Sequence, residues 1–318
     1  MTTANNRLPA LLIMGPTASG KTDLAVELAR RFPFEIVSVD SAMVYRGMDI
    51  GTAKPNAATL RVAPHRLINI LDPQETYSAA RFREDALREI NEIRSRGRFP
   101  LLVGGTMLYY RILQHGLAEL PPANLQLRSR LEAELIRYGS AVLHARLAAV
   151  DPIAAARIHP HDPQRIQRAL EVYELTGQPI TRLYARRQIA AGLGEPLRKL
   201  IIAPRERQVL HRRIENRFQQ MLEQGFVAEV VNLRVRNDLD LSKPSLRAVG
   251  YRQVWEYLDG LLDYANMKER SIVATRQFAK RQFTWLRAEP ETVWFDSFAP
   301  GLLDRVLEYL HAIGMLRK

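Results

Sequence analysis

Residues 15–22 read GPTASGKT, which matches the spacing G-x-x-x-x-G-K-[ST]. That spacing suits the binding of a phosphate. Glycines let backbone N–H groups turn inward around phosphate oxygens, the lysine supplies a mobile positive charge, and the final hydroxyl can ligate Mg²⁺. Asp40 ends an apolar run, Glu35–Val39. A carboxylate there is a candidate general base or metal ligand, or a cap for the turn that follows. Gly104-Gly105-Thr106 follows another apolar run and permits close backbone approach to a ligand. That run ends without the acid that an ordinary nucleotide hydrolase uses to hold Mg²⁺, so nucleotide hydrolysis is not the expected reaction. Arg213 and Arg217 are four apart and share one helix face, as functional groups or as a solvated basic surface. Lys268–Arg287 holds six basic residues and one acid, with Phe278, Phe283 and Trp285 interleaved. That mixture suits a nucleic-acid backbone with stacked, unpaired bases, although an amphipathic helix with aromatics in the core has the same pattern. His159 and His161 have no third ligand in sight and read as loop histidines.

These groups need elements to position them. Leu8–Met14 is a short continuous apolar run and predicts a buried parallel strand. Beyond the Gly-rich turn, Leu24, Ala25, Leu28 and Ala29 recur at helical spacing up to Phe32. Strand, turn and helix are the context a phosphate loop requires. Glu35–Val39 predicts a second strand, which puts Asp40 at the carboxyl edge of a parallel sheet, where open α/β folds bind ligands. Ser41–Pro55 has no clear period and reads as an active-site loop. Phe82, Ala86, Ile90 and Ile93 mark one face of an amphipathic crossover helix over Ser78–Arg96. Phe99–Val103 predicts a third strand. Pro121-Pro122 marks a boundary, and from Leu125 to about Ala191 only helical stretches are expected. Two of these are Leu127–Tyr138 and Ala141–Val150, broken by Asp151-Pro152 and by residues 159–163; another opens at Pro163. Lys199–Ala203 returns to a strand. Arg205–Gly225 predicts a helix with Gly225 as its C-cap. Thr292–Asp296 predicts the last strand and Leu302–Leu316 the last helix. The expected fold is α/β, a P-loop NTPase-like parallel sheet flanked by helices. Residues 1–120 and 199–318 would form the core and 121–198 a helical insertion.

Bulk properties narrow the classes. The chain has 318 residues, 47% hydrophobic and 8% aromatic, which excludes a disordered or fibrous protein. Its 46 Lys+Arg against 34 Asp+Glu leave a net charge of +12, of which +8 lies beyond residue 116. Such an excess points to a polyanionic partner, or serves solubility alone. The absence of cysteine excludes disulfides, Cys-ligated zinc, iron–sulfur clusters and thiol nucleophiles. No apolar run approaches the roughly 20 residues needed to span a bilayer. Residues 1–9 are polar, without the apolar stretch of a signal peptide. A cytoplasmic protein with no membrane partner is expected.

Seven segments, GPTASGKT (15–22), VDSAMVYRGMDIGTAKP (39–55), LLVGGTMLYY (101–110), DPQRIQRALE (162–171), LHRRIENRF (210–218), RAVGYRQ (247–253) and TRQFAKRQFTWLR (275–287), span nearly the whole chain. In sequence and order they resemble the bacterial tRNA dimethylallyltransferase (tRNA isopentenyltransferase) family. The resemblance implies transfer of a dimethylallyl group from dimethylallyl diphosphate to N6 of adenine 37 in tRNA, with release of diphosphate. It further implies that Gly15, Pro16, Thr17, Ala18, Ser19, Gly20, Lys21 and Thr22 cradle the donor's diphosphate, with Thr22 helping to hold Mg²⁺. Asp40 would accept the N6 proton, Arg217 would stabilise the departing diphosphate, and Thr106 would lie beside substrate. Contacts to the tRNA anticodon stem-loop would come from Asp40, Ser41, Ala42 and Met43, and from Gln164, Arg165, Ile166, Gln167 and Arg168. Further contacts would come from Arg247, Ala248, Val249, Gly250, Tyr251 and Arg252, and from Lys280, Arg281, Gln282, Phe283, Thr284, Trp285, Leu286 and Arg287. Eukaryotic members add a C-terminal zinc finger, so a chain without cysteine resembles the compact bacterial type, expected as a monomer. The alternatives are a P-loop small-molecule kinase, a relative that prenylates free AMP or ADP, and a non-catalytic RNA-binding protein.

Overall fold

The computed structural model describes residues 8–118, 120–185, 193 and 197–316. The reading of residues 1–7 and the far end of the helical stretch, 186–191, lie outside them. Two compact units emerge, Met1–Gln114 with Leu193–Lys318, and His115–Gly192. The boundaries expected from sequence were 121 and 198.

The first unit begins with Leu11–Met14 (β1), Lys21–Arg31 (α1), Phe34–Val39 (β2), Ala57–Val62 (α2), His65–Arg66 (β3), Ala79–Ser95 (α3), Phe99–Gly104 (β4) and Met107–His115 (α4). β1 starts at Leu11 rather than Leu8, because its register is set by Leu101 of β4 opposite Leu11. Ser78, the first residue of the expected helix, instead caps α3 by accepting from Arg81 N–H.

The second unit is helical: Leu125–Tyr138 (α5), Ser140–Val150 (α6), Pro152–Arg157 (α7), Pro163–Thr176 (α8) and Ile180–Ala185 (α9). Leu131, Leu143, Leu147, Ile166 and Leu170 form its core. Asp151-Pro152 not only ends one helix but starts the next. The Asp151 carboxylate accepts from Ala154 N–H at 2.9 Å, with proline in the first turn, and the same carboxylate accepts from Thr181. Glu171 is fully buried and accepts from Arg128, Arg168 and the backbone N–H of Asn124. The rings of His159 and His161 lie 5.4 Å apart.

The first unit resumes with Arg198–Ala203 (β5), Arg207–Glu223 (α10), Phe226–Arg234 (α11), Tyr251–Leu258 (α12), Tyr264–Arg287 (α13), Thr292–Asp296 (β6) and Leu302–Ala312 (α14). The helix expected over 205–225 is α10, but its C-cap is Gln224 and not Gly225. Gly225 lies one residue further, at φ 95°, and its left-handed turn opens directly into α11, which carried no separate sequence signal. The last helix stops at Ala312, short of the expected Leu316.

All six strands are parallel, in the order β3-β2-β4-β1-β5-β6. Both faces are covered, which is why β1, β4 and the end of β5, residues 200–203, read as continuous apolar runs rather than alternating ones. Leu12, Met14, Val39, Leu102 and Ile201 face a layer that includes Phe82, Tyr110, Phe218 and Leu286. Leu11, Ile13, Leu101, Leu200 and Ile202 face Leu24, Leu28, Val306 and Leu310. Tyr110 is fully buried and donates to Ile13 O or Leu102 O, at 3.0 and 3.1 Å, tying α4 to the two central strands. Among the described residues no helix is long and apolar enough to cross a membrane.

Candidate active site

The phosphate loop joins β1 to α1 at the carboxyl edge of the sheet. Its backbone bends through Ala18 at φ 62° and Gly20 at φ 83°. Ser19 is fully buried, and its hydroxyl has no hydrogen-bond partner among the described residues. Lys21 Nζ donates back to Pro16 O at 3.2 Å. Two long-range contacts hold the loop. Gln282 of α13 accepts from Thr17 N–H at 2.9 Å through Oε1 and donates to Gly105 O at 2.9 Å through Nε2. A Cβ on Gly105 would sit 2.3 Å from that nitrogen and 3.1 Å from Gly15 O, so a larger residue there would have to displace the clamp. Arg213 of α10 donates to Ala18 O at 3.2 Å and stacks on Phe298 at 4.4 Å.

A cleft of about 1010 Å³ opens in front of the loop, lined by Ser19, Gly20, Lys21, Thr22, Arg213 and Arg217 and by Asp49, Ile50 and residues 53–56. Burial and the neighbouring Arg217 push the Lys21 ammonium down to about 8, with Asp40 partly offsetting them. Burial likewise lowers Arg217, against the attraction of Asp40. Positive groups crowded into a partly desolvated cleft make an anion site. Among the described residues no group of three or more His, Asp or Glu could hold a metal.

Beside the cleft is a second cavity of about 330 Å³. Asp40, Ser41, Ala42, Thr17 and Thr106 line its polar side, and Ile214, Phe218, Met221 and Phe226 its apolar side. Ala18, Arg217 and Met221 line both cavities, so the Arg217 guanidinium stands between the phosphate loop and Asp40. Asp40 Oδ1 accepts from Ala42 N–H at 2.8 Å and Met43 N–H at 3.2 Å. The turn-cap reading of Asp40 is therefore correct, and it leaves Oδ2 without a protein partner among the described residues. Thr106 Oγ1 accepts from Ser41 N–H at 3.2 Å, and Thr106 N–H donates to Val39 O at 3.2 Å, fixing this hydroxyl beside Asp40.

The remaining residues singled out in the sequence divide by exposure. Arg247, Ala248, Val249, Gly250 and Tyr251 line the smaller cavity, together with Phe278 and Arg281. Lys280, Arg281, Thr284, Trp285 and Arg287 are exposed along α13, and Arg111 lies over the Trp285 ring at 5.6 Å. Five residues expected at a tRNA surface are instead interior, Gly250 among them. Leu286 and Ile166 are fully buried in the cores of the two units. Tyr251 is fully buried against Phe226, and Gln282 is consumed by its clamp on the phosphate loop. Gln164–Arg168 open α8 in the second unit. There Arg165 is exposed, but Arg168 is committed to Glu171 and to Pro121 O at 2.8 Å.

Sequence reasoning missed two organising groups. Lys54 is 3% exposed, and its Nζ donates to Tyr45 O at 2.7 Å, Asp49 Oδ1 at 2.5 Å and Asn69 Oδ1 at 2.6 Å, shaping the loop after Asp40. Its place in an aperiodic polar loop was the available signal. The Gln282 clamp had none, since nothing local distinguishes an amide that crosses the fold from one on the surface.

Residues 43–289 match the family described as IPP transferase, and residues 9–71 match isopentenyl transferase. A tRNA dimethylallyltransferase of Alkalilimnicola ehrlichii is 61% identical over 305 residues, covering 95% of this chain and 96% of the relative. The tRNA isopentenylpyrophosphate transferase of Bacillus halodurans has a crystal structure similar to this one, with TM-score 0.70, 38% identity, and coverage of 97% of this chain and 96% of that one. A eukaryotic dimethylallyltransferase described as acting on tRNA gives TM-score 0.75 at 25% identity, covering 95% of this chain and 77% of that one. A phosphate loop whose neighbouring strand β4 ends without an acid, the Asp40 carboxylate at the end of β2 and this similarity over nearly the full length lead to one conclusion: the chain belongs to the IPP transferase family, that of the tRNA dimethylallyltransferases.

Proposed function

We propose that this chain transfers a dimethylallyl group from dimethylallyl diphosphate to N6 of adenine 37 in tRNA, in the cytoplasm. The observation that carries the reading is the placement of Arg217, which lines both the phosphate cleft and the pocket that holds Asp40. Donor diphosphate against Gly15–Thr22, Arg213 and Arg217 would point its prenyl carbon into that pocket. The apolar wall of Ile214, Phe218, Met221 and Phe226 suits the dimethylallyl group, and Asp40 waits on the polar side. β4 ends at Gly104, where a nucleotide hydrolase would carry its Mg²⁺-holding acid.

The adenine must leave its stack to reach the pocket. Its exocyclic amine is a weak nucleophile, because the lone pair is delocalised into the ring. Asp40 Oδ2 accepts the N6 proton as the new C–N bond forms. The donor's C–O bond breaks and its electron pair leaves with the diphosphate. Lys21, Arg213, Arg217 and the loop N–H groups stabilise the charge that accumulates there. Oδ1 stays engaged in the turn, which aims Oδ2, and Thr106 orients the approach beside it.

The residues present fit Mg²⁺. Thr22 offers a hydroxyl at the cleft in the first turn of α1, and the lack of a carboxylate cage among the described residues suits a cation bound chiefly through substrate oxygens and water. When bound, the ion would neutralise diphosphate charge. Arg247, Ala248, Val249 and Arg252, with Lys280, Arg281, Phe283, Thr284, Trp285 and Arg287, would hold the anticodon stem-loop beside the pocket. Gln164, Arg165 and Gln167 would add contacts from the helical unit.

The test compares transfer to an anticodon stem-loop carrying adenine 37 with transfer to AMP, by nucleoside mass analysis. The stem-loop should be the far better acceptor, with affinity that falls steeply with salt. Equal use of AMP would overturn the tRNA reading.

A further inference from the structure

Glu229 of α11 has no part in the chemistry above, yet its carboxylate gathers four donors. Oε2 accepts from the backbone N–H of Asp49 at 2.9 Å and Ile50 at 2.7 Å. Oε1 accepts from Gly51 N–H at 3.2 Å and from the Tyr251 hydroxyl. Three consecutive backbone N–H groups on one anion form a closed nest, and each bond is charge-assisted. The turn is also packed tight. A Cβ on Gly51 would lie 2.2 Å from the Phe226 ring and 2.5 Å from the Tyr251 ring, and those rings meet edge to face at 4.9 Å.

What this turn walls gives the contact its meaning. Asp49 and Ile50 line the large cleft opposite the phosphate loop, while Gly51 lines the smaller pocket with Tyr251 and Phe226. Tyr251 ends the Arg247–Tyr251 segment that borders the same pocket. One carboxylate therefore ties the far wall of the donor cleft to the segment proposed to meet the acceptor.

We propose that Glu229 is a positioning residue: it fixes the 49–51 turn against Tyr251, and so sets the shape of the pocket that receives the donor's organic group. The proposal rests on the function argued above. It predicts a split between the two halves of the donor. Diphosphate recognition belongs to the phosphate loop and should not need Glu229, whereas recognition of the prenyl group should.

The experiment uses the full chain with Glu229→Gln, which keeps the size but removes the charge, and Tyr251→Phe, which removes only the hydroxyl donor. Measured are donor KM and kcat with the stem-loop, calorimetric affinities for dimethylallyl diphosphate, inorganic pyrophosphate and stem-loop, the Tm, and amide exchange. Glu229→Gln should raise the donor KM about tenfold or more, as expected of a displaced positioning element. Pyrophosphate affinity should stay within about twofold, and exchange should accelerate at 49–51 and not in the phosphate loop. Tyr251→Phe should give a smaller shift in the same direction. Unchanged KM and exchange would overturn the proposal. So would parallel losses of pyrophosphate, donor and stem-loop affinity with a fall in Tm, which would make Glu229 merely structural. If the wild-type chain fails to prenylate the stem-loop, the functional reading fails. The calorimetric split and the exchange pattern then decide the role of Glu229 by themselves.

Discussion

Raising the pH through 8 should loosen the donor. Lys21 is lowered from 10.5 to about 8 in the unliganded cleft, first by burial and then by Arg217. A bound diphosphate outweighs both causes, because it brings negative charge into contact with the ammonium, so the ligand binds the protonated form and binding takes up a proton. If only that form binds, the apparent Kd scales as one plus ten to the power of pH minus 8, a weakening of about tenfold from pH 7 to 9 and about thirtyfold by pH 9.5. Calorimetric titration of dimethylallyl diphosphate in buffers of different ionisation enthalpy measures both Kd and proton uptake. Lys21→Arg keeps a charge that does not titrate in this range and should abolish the slope; Lys21→Ala should bind weakly at every pH. A flat wild-type profile, or a slope that survives in Lys21→Arg, would refute the reasoning. The sign for stability is opposite. Between about 8 and 10.5 the unfolded chain holds this proton and the folded one does not, so the unliganded protein should gain stability as pH rises through that window.

Asp40→Asn keeps an Oδ1 acceptor for the Ala42 and Met43 amides and removes only the base; single-turnover transfer should fall roughly 10²–10⁴-fold, with stem-loop affinity near wild type. Gln282→Leu leaves Thr17 N–H and Gly105 O unpaired at a cost of about 1–3 kcal/mol each, and should lower both Tm and pyrophosphate affinity. Arg165→Ala should flatten the salt dependence of stem-loop binding without changing Tm. Arg168→Ala should lower Tm as well, because it strips one of two guanidinium partners from the buried Glu171. Equal thermal effects of the two arginine substitutions would contradict that distinction.

Much of this architecture was visible in the chain. A strand buried on both faces is largely apolar, so β1, β4 and the end of β5, residues 200–203, announced themselves, and the strand–loop–helix context marked GPTASGKT as a phosphate-loop motif. Asp40 was legible because a polar residue ending such a run lands at the sheet edge. The side chains that fasten the site were not. Gln282 reaches 265 residues back to Thr17, and Glu229 reaches about 180 residues back to Asp49. No local pattern encodes such partners. Arg168 is an intermediate case: the charge pair with Glu171 at i, i+3 was on view, but not that Glu171 is fully buried, which turns a surface cation into a structural one. Leu286 and Ile166 failed as contact residues for the related reason that a motif includes the interior side of its helix.

The strand order has a consequence for the birth of the molecule. β1 lies between β4 and β5, and its Leu11 pairs with Leu101 on one side and Arg198 on the other. The first partner leaves the ribosome early; the second follows only after the whole helical unit has been made. At synthesis rates of about 5–20 residues per second, the interval lasts on the order of 5–20 s. Throughout it the nascent chain carries an apolar central strand with one open edge, the kind of edge that recruits other chains. The helical unit, built from local contacts, can complete itself meanwhile, but the sheet cannot. Aggregation during expression should therefore track conditions that slow translation between residues 105 and 203 more than the stability of the finished protein.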